Sequence, residues 1–267
     1  MKPKYITLGS WRSGTSVIHE SLELHPDLKV AYEIFHSRLT VEMTCMPNLR
    51  DVVEELYGVR RLETQRTFFF SRYGAKPDDH FLDVEHATFT QQYDLSKLVD
   101  YVFDRYNSFK ILYCQIPRNY RVWDHLVEMD DLKVIHVHRR DYLAVITSLL
   151  VSYQSGVWNL KLWRDPPRDN KVSFTPDQLT RFFELMDFEN EHFQALFEDH
   201  EHIIVDYDEI NDWEGLMRKL QRFLGVPYFD LRMKYQKRTT TPIPKLIHDY
   251  GKLKQHFVST KYRDMFP

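Results

Sequence analysis

The stretch that decides the fold comprises residues 5–16, YITLGSWRSGTS. Its first part, Tyr5–Leu8, is rich in β-branched and aromatic residues and predicts a short strand. The turn Gly9–Ser16 follows directly and leads into a helix predicted over Gly14–Leu24. A strand, a glycine-containing turn and a helix in this order point backbone N–H groups and the positive end of the helix at an anion. The stretch therefore predicts an anion-binding loop in an α/β fold.

The side chains of this loop also suit an anion. Arg12 adds a permanent charge with a planar fork for phosphate or sulfate oxygens, and Gly14 lets the backbone approach a phosphate closely. Hydroxyls add further donors at Ser13, Thr15 and Ser16. The spacing is similar to the nucleoside-triphosphatase phosphate loop, but that motif ends Gly-Lys-Ser/Thr, and no lysine occurs between Lys4 and Lys29. A kinase on this scaffold is therefore an alternative with little support.

Short strand-like runs alternate with longer helical runs along the rest of the chain. The predicted strands are Tyr5–Leu8, Lys29–Ala31, Phe109–Tyr113, Lys133–His138 and His202–Val205. The predicted helices are Gly14–Leu24, Leu95–Tyr106, Tyr120–Glu128, Tyr142–Ser152, a long helix capped by Thr175 with Pro176 at its first position, and Trp213–Leu224. This alternation is typical of a mainly parallel sheet flanked by helices. We expect one P-loop-like, three-layer α/β domain over residues 1–267.

Composition narrows the class of protein. Of the 267 residues, 43% are hydrophobic and 28% charged, as in an ordinary globular domain, and the formal net charge of −3 gives no electrostatic footprint for nucleic acid. The two cysteines, Cys45 and Cys114, suggest neither a disulfide framework nor a metal cluster. No apolar run approaches the roughly 20 residues needed to span a bilayer. We expect a cytoplasmic protein without a membrane span or a metal.

The run Arg12–Ser16, with Leu24–Pro26 and Tyr32–His36 after it, resembles the 5′-phosphosulfate loop of the sulfotransferases that use 3′-phosphoadenosine 5′-phosphosulfate (PAPS). The resemblance runs from Leu8 to about Thr241. It is closest to the bacterial trehalose-sulfating and the tyrosylprotein types of the family. It implies that Arg12, Ser13, Gly14, Thr15 and Ser16 bind the nucleotide, whose desulfated product is PAP.

The resemblance also implies a second phosphate site. Lys133–Asp141 reads as a strand leading into a helix, and Ser148 falls eight residues beyond Arg140. In the family, an arginine and a serine at this spacing bind the 3′-phosphate that distinguishes PAPS from ordinary adenine nucleotides. Arg140 and Ser148 match that pair, with Arg139 as the competing arginine. Lys237 and Arg238 lie where the family often closes a basic loop over the nucleotide.

Sulfuryl transfer requires a base, an in-line arrangement and charge stabilisation on the leaving phosphate. Glu33 is the predicted base, because it lies twenty-one residues beyond Arg12, a distance similar to that of the catalytic glutamate in the tyrosylprotein type. Arg12 is expected to stabilise the leaving group, and Lys110 to steady the sulfate oxygens from its strand. His36 is the reserve base, since other members of the family use a histidine.

The sequence thus predicts a PAPS-dependent sulfotransferase whose acceptor is the hydroxyl of a sugar, a glycan or another small metabolite. His136 and His138 alternate along one strand, but without a third ligand at suitable spacing we interpret them as packing residues. Besides the kinase, a non-catalytic PAP-binding module stays open as an alternative. Oligomeric state cannot be inferred from the sequence.

Overall fold

A four-stranded parallel sheet forms the centre of the molecule. The computed structural model describes residues 2–35, 45–58, 94–116, 121–155, 171–235 and 241–267. Its strands are β1 (Lys4–Gly9), β2 (Ser108–Leu112), β3 (Leu132–His138) and β4 (Glu201–Asp206), in the order β2-β1-β3-β4. All three pairings are parallel. The carboxyl ends of the strands therefore meet at one edge of the sheet, where ligands of open α/β sheets bind.

Helices connect and cover these strands. In chain order they are α1 (Thr15–Leu22), α2 (Leu49–Tyr57), α3 (Ser96–Phe103), α4 (Val122–Val127), α5 (Tyr142–Ser155), α6 (Pro176–Leu196), α7 (Trp213–Leu224), α8 (Ile243–Leu246) and α9 (Tyr250–Phe257). Short 3₁₀ helices occupy Tyr207–Asn211 and Arg263–Met265. Within the described ranges, no helix is both long and apolar enough to cross a membrane.

The sheet is buried on both faces, as a parallel sheet must be. Side chains of β1 alternate: Tyr5 packs on one face, whereas Ile6 and Leu8 pack on the other. The Tyr5 face is covered by α1 and α7, whose contributions include Ile18, Leu22, Leu216 and Leu220. The opposite face is covered by helices that include α3, α5 and α6. The predicted three-layer α/β fold with a parallel sheet is confirmed.

The predicted strand Lys29–Ala31 is wrong as a regular strand. Only an isolated parallel bridge forms, between Val30 and Ser108. The amide of Lys29 donates instead to the side-chain Oδ1 of Asn107 at 2.6 Å, so the pairing is limited to a few residues. The Lys110 amide then donates to the Tyr32 carbonyl at 3.0 Å. This short pairing still fixes the segment that carries Glu33 alongside β2.

The predicted long helix after Thr175 is confirmed as α6. The Thr175 hydroxyl accepts a hydrogen bond from the Gln178 amide at 3.2 Å, and the Gln178 side chain accepts one from the Thr175 amide at 2.8 Å. This reciprocal capping box satisfies two amides that a helix start leaves open. The prediction of Trp213–Leu224 also matches α7, which ends at Gly225 in a left-handed conformation. Both ends follow from local sequence signals.

Candidate functional site

The loop between β1 and α1 has a backbone that requires glycine at position 14. Gly14 has a φ of 94°, in the left-handed region. A Cβ atom there would lie 2.7 Å from Cδ1 of Ile210 and 2.9 Å from Cδ2 of Tyr207. The 3₁₀ helix after β4 thus packs directly against the loop. Because Gly14 is the N-cap of α1 and has no side chain, the loop leaves the first amides of the helix without a side-chain cap.

Arg12 joins this loop to helix α5. Its Nε donates a hydrogen bond to the Ser148 hydroxyl at 3.0 Å. The Arg12 backbone is also left-handed, with a φ of 56°, and its carbonyl accepts a hydrogen bond from Nη1 of Arg139 at 2.8 Å. The Arg139 guanidinium lies 4.1 Å above the Tyr207 ring. The structure therefore brings together the loop and the serine that the sequence assigned to two separate phosphate sites.

The three loop hydroxyls have different environments. The buried Ser13 hydroxyl donates to the Ser10 carbonyl at 2.8 Å, which stabilises the turn itself. Thr15 is buried, and its methyl group packs against Gly9, where an added Cβ would lie 2.8 Å away. Ser16, in the first turn of α1, accepts a hydrogen bond from Nζ of Lys110 at 2.5 Å. Ser16 therefore links the loop to strand β2.

The predicted pair of Arg140 and Ser148 is not formed among the described residues. Arg140 is exposed, and its Nε and Nη2 donate to the Asp206 carboxylate at 3.2 and 3.4 Å. Arg139 is the arginine that contacts the loop between β1 and α1. The two arginines follow the last residue of β3, and the structure gives them different partners, the Arg12 carbonyl for Arg139 and the Asp206 carboxylate for Arg140.

A buried cluster of charges lies beside the loop. Nζ of Lys110 is 2.9 Å from Oε1 of Glu33 and 3.7 Å from Oε1 of Glu20. The Lys110 side chain is only 1% exposed, whereas that of Glu33 is 17% exposed. Gln115 donates from Nε2 to the other Glu33 oxygen at 2.5 Å. Glu33 is thus oriented from two sides and retains some access to solvent.

Burial and charge oppose each other in this cluster. Burial by itself would lower the pKa of Lys110, but the carboxylates of Glu33 and Glu20 outweigh it, so the pKa is raised and the side chain stays a cation. Burial raises the pKa of Glu20, against the opposing effects of Lys110 and of a hydrogen bond donated by Tyr235. The site therefore holds one buried cation between two carboxyl groups.

Several site residues were missed by the sequence analysis. Glu20 had a usable signal, because it follows Ser16 by four residues, which places both on one face of α1. Gln115, Tyr207 and Tyr235 gave no such signal, since each reaches the site through a distant part of the chain. Of the residues that were predicted, those outside the described ranges are His36, Lys237 and Arg238.

Histidines of β3 and β4 form a separate group, in which His136 is buried and His138 and His202 are half-buried. The His136 and His138 rings are 4.2 Å apart between centroids, and those of His136 and His202 are 5.4 Å apart. The Tyr113 hydroxyl donates to Asn190 at 2.7 Å, so its hydrogen bond with Nε2 of His136 must be donated by the histidine. Within the described part of the chain, no three candidate ligands are arranged to hold a metal. These contacts agree with a packing role.

The histidine group predicts an acid-sensitive fold. Burial lowers the pKa of His136, of His202 and, to about 4, of His138. As pH falls below about 6.5, the unfolded chain takes up protons that the folded chain does not, so the free energy of unfolding should fall. In urea unfolding between about pH 7 and pH 5, His202→Gln should make this fall shallower. His256→Gln, at an exposed position, should not. Identical slopes for all three proteins would contradict the prediction.

Comparison with known proteins assigns the family. The sequence matches the family model described as "Sulfotransferase family" over residues 3–230. The chain therefore belongs to the sulfotransferase family, and the predicted enzyme class is confirmed. This assignment favours sulfuryl transfer over the kinase alternative. No curated protein matches the sequence significantly.

Three solved sulfotransferase structures are similar to this chain at low identity. The sulfotransferase domain of the olefin synthase from Synechococcus PCC 7002 is 14% identical, with a TM-score of 0.46, over 89% of this chain and 79% of that one. A sulfotransferase from Alicyclobacillus acidocaldarius is 12% identical, with a TM-score of 0.47, over 97% and 92%. The mouse sulfotransferase SULT7A1, complexed with PAP, is 12% identical, with a TM-score of 0.43, over 98% and 87%. Similarity at this level does not identify a substrate for this chain.

The close contact at Gly14 gives a prediction for nucleotide binding. Gly14→Ala should weaken binding of PAP by about tenfold or more, because the new methyl group must displace Ile210 or Tyr207 and distort the loop. Gly225→Ala is the matched control: its φ is 70°, but an added Cβ would meet nothing within 4 Å. Both variants should lose about 1 kcal/mol of stability from the left-handed backbone, and Gly14→Ala should lose more because of the steric clash. Isothermal titration calorimetry with PAP measures the difference, and equal affinities for the two variants would refute it.

Proposed function

We propose that this sulfotransferase moves the sulfuryl group of PAPS to the hydroxyl of a small acceptor. The observation that carries the proposal is the hydrogen bond between Arg12 and Ser148, which links the phosphate loop to α5. The buried pair of Lys110 and Glu33 lies next to the same loop, through Ser16. An anion-binding loop and an oriented carboxylate are the two parts that sulfuryl transfer requires.

The loop fits the phosphosulfate end of the nucleotide. Free amides at the start of α1, the Ser16 hydroxyl and the Arg12 guanidinium can donate to its oxygens.

For the 3′-phosphate, Ser148 stays our assignment, and Arg139 is the better-placed arginine because it contacts the loop whereas Arg140 pairs with Asp206. Nε of Arg139 is buried and has no hydrogen-bond partner within the described part of the chain, so it can donate to a bound phosphate. Lys237 and Arg238 stay predictions.

The chemical step assigns one task to each side chain. Glu33 accepts the proton of the acceptor hydroxyl while the acceptor oxygen forms its bond to sulfur. The bond between sulfur and the oxygen of the 5′-phosphate breaks in line with this attack, and Arg12 stabilises the charge that develops on the leaving phosphate. Lys110 holds the Glu33 carboxylate in place. Its predicted contact with the sulfuryl oxygens would require Lys110 to release one of its three present acceptors, Ser16, Glu33 or Glu20. No step of this mechanism requires a metal, and His36 stays the reserve base.

The acceptor is proposed to be a sugar or another small metabolite, as the resemblance to the trehalose-sulfating type implies. One domain over residues 1–267 and a cytoplasmic location also stay proposals. The location is supported by two cysteines that form no disulfide in the structure, Cys45 and Cys114. A set of sugars and small alcohols incubated with PAPS, with PAP release as the readout, would identify the acceptor class.

Four alanine variants test the nucleotide site. Arg12→Ala and Ser148→Ala should each weaken binding of PAP, Arg12→Ala by about tenfold or more because a charge-assisted contact is lost. Arg139→Ala should weaken binding, whereas Arg140→Ala should change it little. Calorimetry with PAP on folded variants distinguishes these cases. Unchanged affinity for PAP in Arg12→Ala and Ser148→Ala would refute the assigned site. A stronger effect in Arg140→Ala than in Arg139→Ala would assign the 3′-phosphate to Arg140.

Replacing the proposed base should separate binding from turnover. Glu33→Gln preserves the shape of the side chain and removes its charge, so kcat should fall by about 100-fold or more while the affinity for PAP is retained. Glu55→Gln, on the exposed side of α2, is the control and should behave as the parent protein. Sulfation at the parent rate in Glu33→Gln would move the base role to His36 or another group.

A further inference from the structure

Helix α1 carries a buried carboxyl group that the proposed reaction does not use. Glu20 is only 4% exposed, and a carboxylate is costly to bury unless it is paired and hydrogen-bonded. Both conditions are met here. Nζ of Lys110 lies 3.7 Å from Oε1, and the Tyr235 hydroxyl donates to Oε2. The position is therefore built to hold an acid rather than an apolar side chain.

The Lys110 ammonium is shared among three acceptors. It donates to Ser16 at 2.5 Å, and it lies 2.9 Å from the Glu33 carboxylate and 3.7 Å from that of Glu20. An ammonium has three N–H donors, which matches this number of acceptors. Because the group is almost fully buried, solvent screens these charges weakly. A change in the charge of Glu20 must therefore alter how strongly Lys110 holds Glu33.

We propose that Glu20 is a positioning residue that sets the basicity of Glu33 by sharing the charge of Lys110. This inference rests on the proposed role of Glu33 as the base. With Glu20 ionised, the group formed by Glu20, Lys110 and Glu33 carries one net negative charge. Glu33 then receives only part of the electrostatic stabilisation that the Lys110 ammonium can give. It is therefore a stronger base than a carboxylate that is the sole partner of a lysine. Proton transfer to Glu33 brings the net charge of the group to zero.

The surroundings of Glu20 contain charges from every element packed against it. They are Lys110 from β2, Glu33 and Tyr32 from the segment before α2, and Lys234 and Tyr235 from the chain after α7. Lys234 forms an ion pair with Glu23, which reduces but does not cancel the effect of its charge on Glu20. Burial lowers the pKa of His19 to about 3, so it is neutral near neutral pH. Lys110 is thus the cation that the two carboxylates of the site share.

The sign of the pH dependence follows from burial. Burial raises the pKa of Glu20, so as pH falls Glu20 loses its charge sooner than an exposed glutamate. Above that pH, Glu20 competes for Lys110 and keeps Glu33 basic. Below that pH, Glu20 is protonated and Lys110 forms an ion pair with Glu33 only, so the basicity of Glu33 decreases. The effect of Glu20 should therefore be present at neutral pH and disappear in acid.

Carbon-13 NMR of labelled glutamate side chains tests this inference without an acceptor. The Glu33 resonance is assigned by its absence in Glu33→Gln. In Glu20→Gln, the midpoint of the Glu33 titration should move to lower pH by about one unit, as expected for directly coupled sites. In Glu33→Gln, the midpoint of the Glu20 titration should move down by the same amount, because coupling between two sites is reciprocal. Glu55→Gln, on the exposed side of α2, should leave the Glu33 midpoint unchanged.

Kinetics and a second variant complete the test. With an acceptor identified, the acid limb of the kcat/KM profile in Glu20→Gln should move by the same amount as the NMR midpoint, which loss of packing alone would not produce. Tyr235→Phe keeps both carboxylates and removes a hydrogen bond to Glu20, so it should raise the Glu20 midpoint. It also serves as the test if Glu20→Gln does not fold.

The outcomes separate this inference from the proposed function. An unchanged Glu33 midpoint in folded Glu20→Gln, or an unchanged Glu20 midpoint in Tyr235→Phe, overturns the role of Glu20. If the parent protein transfers sulfuryl groups while the two titrations are independent, the sulfotransferase proposal stands and this inference fails. If the titrations are coupled but the protein neither binds PAP nor uses PAPS, the role proposed for Glu33 fails, and with it the catalytic meaning of Glu20.

Discussion

The buried ammonium of Lys110 is the interaction on which the site depends. A cation in the interior of β2 is stable only if anionic or dipolar groups surround it. Glu33, Glu20 and the hydroxyl of Ser16 supply them, and each comes from a different position along the chain. Satisfying one charge therefore fixes the first helix, the phosphate loop and the segment after the helix relative to the sheet. The geometry of the proposed base follows from this electrostatic requirement.

The parallel sheet explains why distant parts of the chain meet at the loop. Since all the described strands run the same way, the turns after β1, β3 and β4 lie at one edge. From there Arg139 holds the Arg12 carbonyl, and Tyr207 packs against Gly14 and under the Arg139 guanidinium. The loop is thus supported by the segments that follow two other strands, β3 and β4. This support makes its unusual backbone persistent.

Features encoded by neighbouring residues were predictable from the sequence. The strand–loop–helix around Gly14 and the N-cap Thr175 with Pro176 after it depend on residues within one turn of each other, and both are present. The strand prediction that failed has a long-range cause. The strand at Lys29 is cut short by a side chain 78 residues away, that of Asn107. The partner of Arg140 is likewise a distant residue, Asp206 of β4, which no local pattern connects to it. Which arginine holds the 3′-phosphate stays a prediction.

Arg12 combines a charged side chain with a left-handed backbone, and this has a consequence for evolution. A left-handed conformation costs an ordinary residue about 1 kcal/mol, a penalty from which glycine is exempt. Selection on the backbone alone would therefore favour glycine at this position, whereas selection for the contact with Ser148, or for the proposed anion binding, would retain arginine. Position 12 is a place where the two pressures conflict. If Arg12 has the proposed role, descendants that lose nucleotide binding should accumulate glycine or asparagine there early.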